Sequence, residues 1–119
     1  PAQPETLVRA LAELLPTGAV QREDAAAWVA FGAAASTRPW LADPYWEALQ
    51  IMRTWVEGIL TDARKAGRMR VDLSPAEGAR LVTAVVNGLT LDLLNAPPTE
   101  SDEVIGQLRS GLGLILRGL

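Results

Sequence analysis

Apolar residues recur with helical spacing in five segments of the chain, and the fourth segment is the densest in aliphatic side chains. It opens with Ser74, Pro75 and Glu77. In this order the serine and the glutamate can cap each other's backbone amides, and proline occupies the first helical position. Pro97 marks the end of the segment. The apolar positions in between are Leu81, Val82, Val85, Val86, Leu89, Leu93 and Leu94. Because they cover more than one face, the pattern predicts a central helix at about 75–95 that several neighbours bury.

The same spacing predicts four further helices, at about 4–15, 22–36, 44–66 and 101–117, with proline or glycine in the segments between them. No segment is a credible β-strand. A chain of 119 residues is about one domain in size. We therefore predict an all-α fold, a five-helix bundle that forms a single domain over residues 1–119.

The four shorter helices do not suffice to cover every apolar face of the central helix. A second copy of the chain is the natural partner for the remaining surface, so we predict a homodimer formed through the last two helices. The residues predicted at this interface are Val82, Val86, Leu89, Leu93, Leu108, Leu112 and Ile115.

The second helix carries no charge between Ala25 and Ala35, so we expect other helices to enclose most of it. Gly32 lies one turn after Trp28 and leaves a gap beside a large ring. That gap indicates either close helix packing or the wall of an apolar cavity. The residues predicted to bind a ligand in such a cavity are Trp28, Phe31, Met52, Trp55, Thr83 and Asn87.

Each of these aromatic and thioether side chains is also compatible with an ordinary place in the core. Thr83 and Asn87 share one row of the central helix. They can contact a ligand, and they can equally hydrogen-bond across a dimer or to their own helix.

Three glycines interrupt the last helix, at Gly106, Gly111 and Gly113. Each costs about 0.5–1 kcal/mol relative to alanine in a helix interior. The repeated cost indicates either a close approach between backbones or fraying near the end of the chain.

The composition excludes several classes of function. The sequence contains no cysteine and no histidine, which removes thiolate metal sites, thiol nucleophiles and the commonest general base. It carries no phosphate-binding glycine loop and no other cofactor motif, so we predict neither an enzyme nor a cofactor or metal site. The net charge of -3 comes from acids and bases spread singly, and such a chain has no electrostatic footprint for nucleic acid.

The first residues, Pro1 to Glu5, have neither a basic nor an apolar region of the kind found in secretory signals. The longest apolar run is interrupted by polar residues and is shorter than the ~20 residues that a bilayer requires. We therefore predict a cytoplasmic protein without a membrane partner.

The chain resembles the effector-binding and dimerisation domain of TetR-type transcriptional regulators. The similarity lies in Trp28 to Phe31, in Gly67 to Met69 before the Ser-Pro helix start, and in Ala79 to Leu89. It continues through Leu91 to Leu94 and on to Pro97. The resemblance covers nearly the whole chain, and its pattern of helix lengths and breaks is more specific than any one motif.

The resemblance implies a bacterial repressor whose last two helices pair with those of a second subunit to form a four-helix bundle, which serves as the homodimer interface. It also implies that the earlier helices surround a pocket for a small lipophilic or cationic effector. DNA binding is then expected only through an amino-terminal helix-turn-helix domain, which this chain lacks. Asn87-Gly88 departs from the Asp-Gly of many relatives. The alternative interpretation is a helical homodimerisation module without a small-molecule ligand.

Overall fold

The computed structural model describes residues 4–70, 72–97, 100 and 103–119 of the chain. These residues form five α-helices, and the only extended pairing among them is an isolated bridge between Met69 and Leu116. The helices are α1 (Pro4–Ala12), α2 (Ala19–Ala35), α3 (Pro39–Lys65), α4 (Pro75–Asn95) and α5 (Val104–Leu112). The predicted all-α class and the number of helices are confirmed.

The fourth helix begins with the capping box that its sequence predicts. The Ser74 hydroxyl accepts a hydrogen bond from the Glu77 amide at 3.1 Å, and the Glu77 carboxylate accepts one from the Ser74 amide at 3.2 Å. These two bonds satisfy amides that have no partner within the helix. At the other end Ala96 adopts an extended conformation directly before Pro97, where the residue preceding a proline is disfavoured in the helical region.

The core lies among α1, α3, α4 and α5, with α4 at its centre. It contains Leu7, Val8 and Leu11 of α1, Val56 and Leu60 of α3, and Val104, Leu108 and Leu112 of α5. The residues that α4 buries are Gly78, Ala79, Val82, Thr83, Val86, Thr90 and Leu93. With these seven buried residues, α4 packs against α2, α3 and α5, whereas α1 packs against α3 and α5. No described helix is both long enough and apolar enough to cross a bilayer.

The second helix is less enclosed than its lack of charge predicts. Only Ala25 and Ala35 of α2 are buried, and several of its other alanines face outward. Alanine has the highest helix propensity and exposes little apolar surface, so a run of alanines does not require enclosure on every side. The helix packs with one side against α3 and α4.

Two helix boundaries differ from the predicted ones by more than a turn. The third helix begins at Pro39, and Pro44 lies inside it on the exposed side. Pro39 occupies the first helical turn, where a missing N–H has no cost, so α3 can start before Pro44. Residue Pro44 then removes one hydrogen bond of the ladder without ending the helix.

The last helix ends at Leu112 instead of continuing to residue 117, because the tail pairs with the linker before α4. The amide of Arg117 donates to the carbonyl of Arg68 at 2.6 Å, and that of Arg70 donates to the carbonyl of Ile115 at 2.7 Å. These bonds satisfy backbone groups that a longer helix would have used. The predicted start at residue 101 lies outside the described residues.

Six of the seven residues predicted at a dimer interface lie in the core of a single chain. They are Val82, Val86, Leu93, Leu108, Leu112 and Ile115, and each is at most 7% exposed. Leu89 is half-buried against the same core. A side chain that is already buried within one chain has no surface left for a second copy.

Candidate functional site

A cavity of about 310 Å³ opens between the α1–α2 turn and the facing sides of α2, α3 and α4. We call it the primary cavity. Its volume is at the lower end of the ~300–1,000 Å³ range typical of ligand pockets. It is lined by Glu13, Leu14, Gln21, Asp24, Ala25, Trp28, Ala48, Met52, Val86, Asn87 and Thr90.

Three of the six residues predicted to bind a ligand meet in this cavity. Trp28 comes from α2, Met52 from α3 and Asn87 from α4. Their convergence depends on packing because they lie far apart along the chain. It places an indole, a thioether and a carboxamide around one space, which is the mixed apolar and polar lining expected of a ligand site.

The other three predicted residues lie elsewhere. Phe31 makes T-shaped contacts with the rings of Trp28 and Tyr45, at centroid distances of 6.0 and 5.3 Å. Trp55 is exposed on the outer side of α3. Thr83 is buried, and its hydroxyl donates to the carbonyl of Ala79 at 3.0 Å. Of the alternatives for Thr83, the structure shows the bond to its own helix.

The position of Trp28 is determined by two contacts from different helices. Its indole Nε1–H donates a hydrogen bond to Oδ1 of Asn87 at 3.2 Å. Its ring stacks on that of Tyr45 with centroids 4.8 Å apart and planes 24° apart. Aromatic pairs in such geometry contribute ≈ 0.5–1.5 kcal/mol beyond their burial. The two contacts hold the indole between α3 and α4.

Several lining residues were not predicted from the sequence. Gln21, Asp24 and Ala25 precede Trp28 by seven, four and three positions, so they share one face of α2 with it. This spacing relative to Trp28 could have identified them from the sequence as residues on the same face of the helix. Thr90 stands one turn after Val86 on α4, and its hydroxyl donates to the Val86 carbonyl at 2.7 Å.

A second cavity of about 330 Å³ adjoins the first along α2. We call it the secondary cavity, and it is lined by Trp28, Val29, Gly32, Ala33, Tyr45, Asn87 and Leu91. A Cβ atom added at Gly32 would lie 3.0 Å from Cε1 of Tyr45. Both alternatives left open by the sequence therefore apply to Gly32. Its lack of a side chain allows the Tyr45 ring to pack closely against α2, and it also lines a cavity.

The clear pKa shifts of the described residues arise away from both cavities. The pKa of Glu5 is lowered mainly by the hydrogen bond from Arg109, and that of Arg109 is raised by the same bond. The pKa of Glu77 is lowered by its hydrogen bonds with Ser74 at the start of α4. No group of three or more metal-binding side chains occurs in the described part of the chain.

Comparisons with known proteins agree with this architecture. A transcriptional regulator from Rhodococcus sp. Rha1 has a similar crystal structure, with a TM-score of 0.83 and 24% sequence identity. The match covers 99% of this chain and 62% of the regulator's chain, so the present chain spans less than two thirds of that protein. A comparison with curated proteins finds no significant match.

The family comparison covers nearly the whole chain. Residues 4–117 match the family described as BetI-type transcriptional repressor, C-terminal. This match confirms the TetR-type resemblance and the prediction that the chain is not an enzyme. The chain therefore belongs to the family of C-terminal domains of BetI-type transcriptional repressors, which are non-enzymatic.

Proposed function

We propose that this chain is the effector-binding and dimerisation domain of a TetR-type repressor. A small lipophilic or cationic molecule binds in the primary cavity and controls DNA binding by a helix-turn-helix domain outside this chain. The observation that carries the proposal is the primary cavity itself, at which Trp28, Met52 and Asn87 converge from three helices.

The chemistry of the cavity walls supports an effector of this class. Leu14, Ala25 and Val86 provide apolar surface, and burial of an apolar ligand against them is favourable at roughly 25 cal/mol per Å². Glu13 and Asp24 add two carboxylates, and none of the described residues that line the space is a lysine or an arginine. An uncharged or cationic molecule therefore fits the lining better than an anion.

The location of the cavity supports a regulatory effect. Its walls belong to α2, α3 and α4, so a ligand that fills it contacts the helix at the centre of the core. A ligand changes a conformational equilibrium only by as much as it prefers one state. Contacts that span α2 and α4 allow such a preference, because they depend on how these two helices lie against each other.

An exposed strip on α4 supports dimerisation. Leu81 and Leu91 are 47% and 49% exposed, and Ala84 and Gly88 lie between them on the same side. A Cβ atom at Gly88 would meet nothing within 4 Å. Nothing within one chain therefore requires glycine at this helical position, whereas close approach of a second helix would require it.

Residues in and just after the fifth helix extend this argument. A Cβ atom at Gly111 would lie 3.6 Å from Val85, and this register places the exposed Leu114 near the level of Leu81 in an antiparallel pair. Gly106 also has open space where a side chain would be. We propose that a second copy of the chain covers this surface. The proposed interface therefore consists of exposed residues instead of the buried residues predicted from the sequence.

A cavity-filling variant tests effector binding. Melting temperatures of the wild-type chain are measured with a panel of uncharged and cationic lipophilic compounds. Compounds that bind the native state raise the melting temperature. A compound in the primary cavity should stabilise the wild type and the control Ile51→Trp, whose side chain points outward. It should not stabilise Met52→Trp, in which the larger indole side chain occupies the space of the cavity. If no compound stabilises the wild type, or if Met52→Trp responds equally, the effector proposal fails and a dimerisation module without a ligand is favoured.

A further inference from the structure

The two cavities share Trp28 and Asn87 and otherwise have separate walls. Along α2, the primary cavity uses Asp24 and Ala25, one turn before Trp28. The secondary cavity uses Val29 and Gly32, within one turn after it. The two spaces therefore follow each other along the helix, and Trp28 and Asn87 lie at their common boundary.

Asn87 retains hydrogen-bonding capacity at this boundary. Its Oδ1 accepts the indole hydrogen bond of Trp28, and none of the described residues accepts a hydrogen bond from its Nδ2. The carboxamide is partly accessible and lines both cavities. An N–H donor without a protein partner at the wall of a cavity is available to an acceptor atom of a ligand.

Both cavities offer apolar surface beside Asn87, which Leu14, Ala25 and Val86 provide in the primary cavity. The secondary cavity is otherwise lined mainly by Val29, Ala33 and Leu91 and by the Tyr45 ring. Each cavity by itself is near the lower limit of typical ligand sites, and the two together fall well within the range.

We infer that the two cavities form one bipartite site for a ligand with two apolar arms joined by a hydrogen-bond acceptor of the ester or ketone kind. One arm lies in the primary cavity and the other in the secondary cavity. The central acceptor receives a hydrogen bond from Asn87 Nδ2. This inference rests on the proposed function and specifies the class of its effector.

Three matched probes test the inference. Benzyl benzoate has two aromatic arms and a central ester carbonyl. The molecule 1,3-diphenylpropane has the same arms on a linker of equal length without an acceptor, and methyl benzoate has the ester with only one arm. Binding is followed through Trp28 after Trp40, Trp46 and Trp55 are replaced by phenylalanine. All three are exposed, and their replacement leaves a single tryptophan.

Benzyl benzoate is expected to bind most tightly of the three probes. Its advantage over 1,3-diphenylpropane should be roughly three- to tenfold, the usual effect of one hydrogen bond. Asn87→Asp preserves an acceptor for Trp28 and removes the donor, so it should abolish this advantage. Asn95→Asp makes the same change at the end of α4, away from both cavities, and should preserve it.

The outcomes separate the inference from the proposed function. If 1,3-diphenylpropane or methyl benzoate binds the wild type as tightly as benzyl benzoate, the two-armed ligand class is overturned, although an apolar effector site stands. Persistence of the advantage in Asn87→Asp overturns the role of Asn87. If none of the three probes binds, the bipartite site is overturned, and the proposed effector function is then judged separately by the wider compound panel.

Discussion

The indole N–H of Trp28 donates to Oδ1 of Asn87 at 3.2 Å and joins α2 to α4 across 59 positions of the sequence. The same indole stacks on Tyr45 of α3. One side chain thus connects three helices at the wall shared by both cavities. The bond also gives Asn87 a defined orientation, because one of its two polar atoms is already engaged.

Trp28→Phe should remove this hydrogen bond while preserving an aromatic ring beside Tyr45. We expect the free energy of unfolding to fall by about 1–2 kcal/mol, from the lost bond and the smaller ring. Urea denaturation measures the change. Trp40→Phe is the control, since Trp40 is 72% exposed and should change stability by less than about 0.5 kcal/mol. Equal effects of the two substitutions would contradict a structural role for the bond.

Gly32→Ala and Gly58→Ala should have opposite effects on stability. A Cβ atom at Gly32 would lie 3.0 Å from the Tyr45 ring, whereas one at Gly58 would meet nothing within 4 Å. Alanine in an open helical position stabilises by roughly 0.5–1 kcal/mol, so Gly58→Ala should be more stable than the wild type. Gly32→Ala must displace Tyr45 and should lose about 1 kcal/mol or more, as overpacked sites do.

Thermal and urea unfolding of these two variants provide the comparison. In Gly32→Ala the displaced Tyr45 should also change the near-ultraviolet circular dichroism of Trp28. An unchanged spectrum together with increased stability would show that the contact between Gly32 and Tyr45 is not tight.

The ion pair between Glu5 and Arg109 should make stability depend on pH. The two groups are joined at 2.5 and 2.7 Å and connect α1 to α5. The hydrogen bond from Arg109 lowers the pKa of Glu5 below the usual value of a glutamate side chain. A carboxyl group whose pKa is lower in the folded than in the unfolded protein makes its full contribution to stability at pH values above its unfolded-state pKa. It loses that contribution as the pH falls through the folded value.

Glu5→Gln should therefore be less stable than the wild type at pH 7. The difference should shrink below about pH 4.5 as Glu5 becomes protonated. Urea midpoints at a series of pH values measure it. Glu13→Gln is the matched control, because Glu13 forms no ion pair with any described residue. A difference between wild type and Glu5→Gln that is constant down to pH 2 would contradict the role of this ion pair.

Leu81→Glu should convert the proposed dimer to monomers without unfolding the chain. Leu81 is exposed in a single chain, so a carboxylate there meets water in the monomer but would be buried against a second copy. Light scattering across a dilution series to about micromolar concentration measures the mass. Ile51→Glu is the control, since Ile51 is exposed on the outer side of α3. A monomeric wild type, or a Leu81→Glu chain that stays dimeric, would contradict the interface.

Local signals in the sequence determined much of the fold. Ser74 and Glu77 form the predicted capping box, and α4 spans the predicted residues 75–95. Caps, prolines and helical spacing act over a few residues, so they can be recognised without knowing the rest of the structure. The family resemblance follows from the same helix lengths and breaks, and the match over residues 4–117 confirms it.

The tertiary structure decided which apolar side chains of α4 and α5 face inward. Val82 and Leu108 lie in the core, whereas Leu81 and Leu114 are exposed. All four are aliphatic, and helical spacing alone places apolar residues around more than one face. Only the rotation of each helix against its neighbours selects the buried ones.

Locating the candidate site also required knowledge of how the helices pack against one another. The sequence placed Trp28, Met52 and Asn87 among its candidates, and their meeting at one cavity depends on how α2 crosses α3 and α4. It could not show that Thr83 bonds to its own helix or that Trp55 faces outward. Local sequence therefore determined where helices begin and end, and long-range packing decided which side chains of those helices share a cavity.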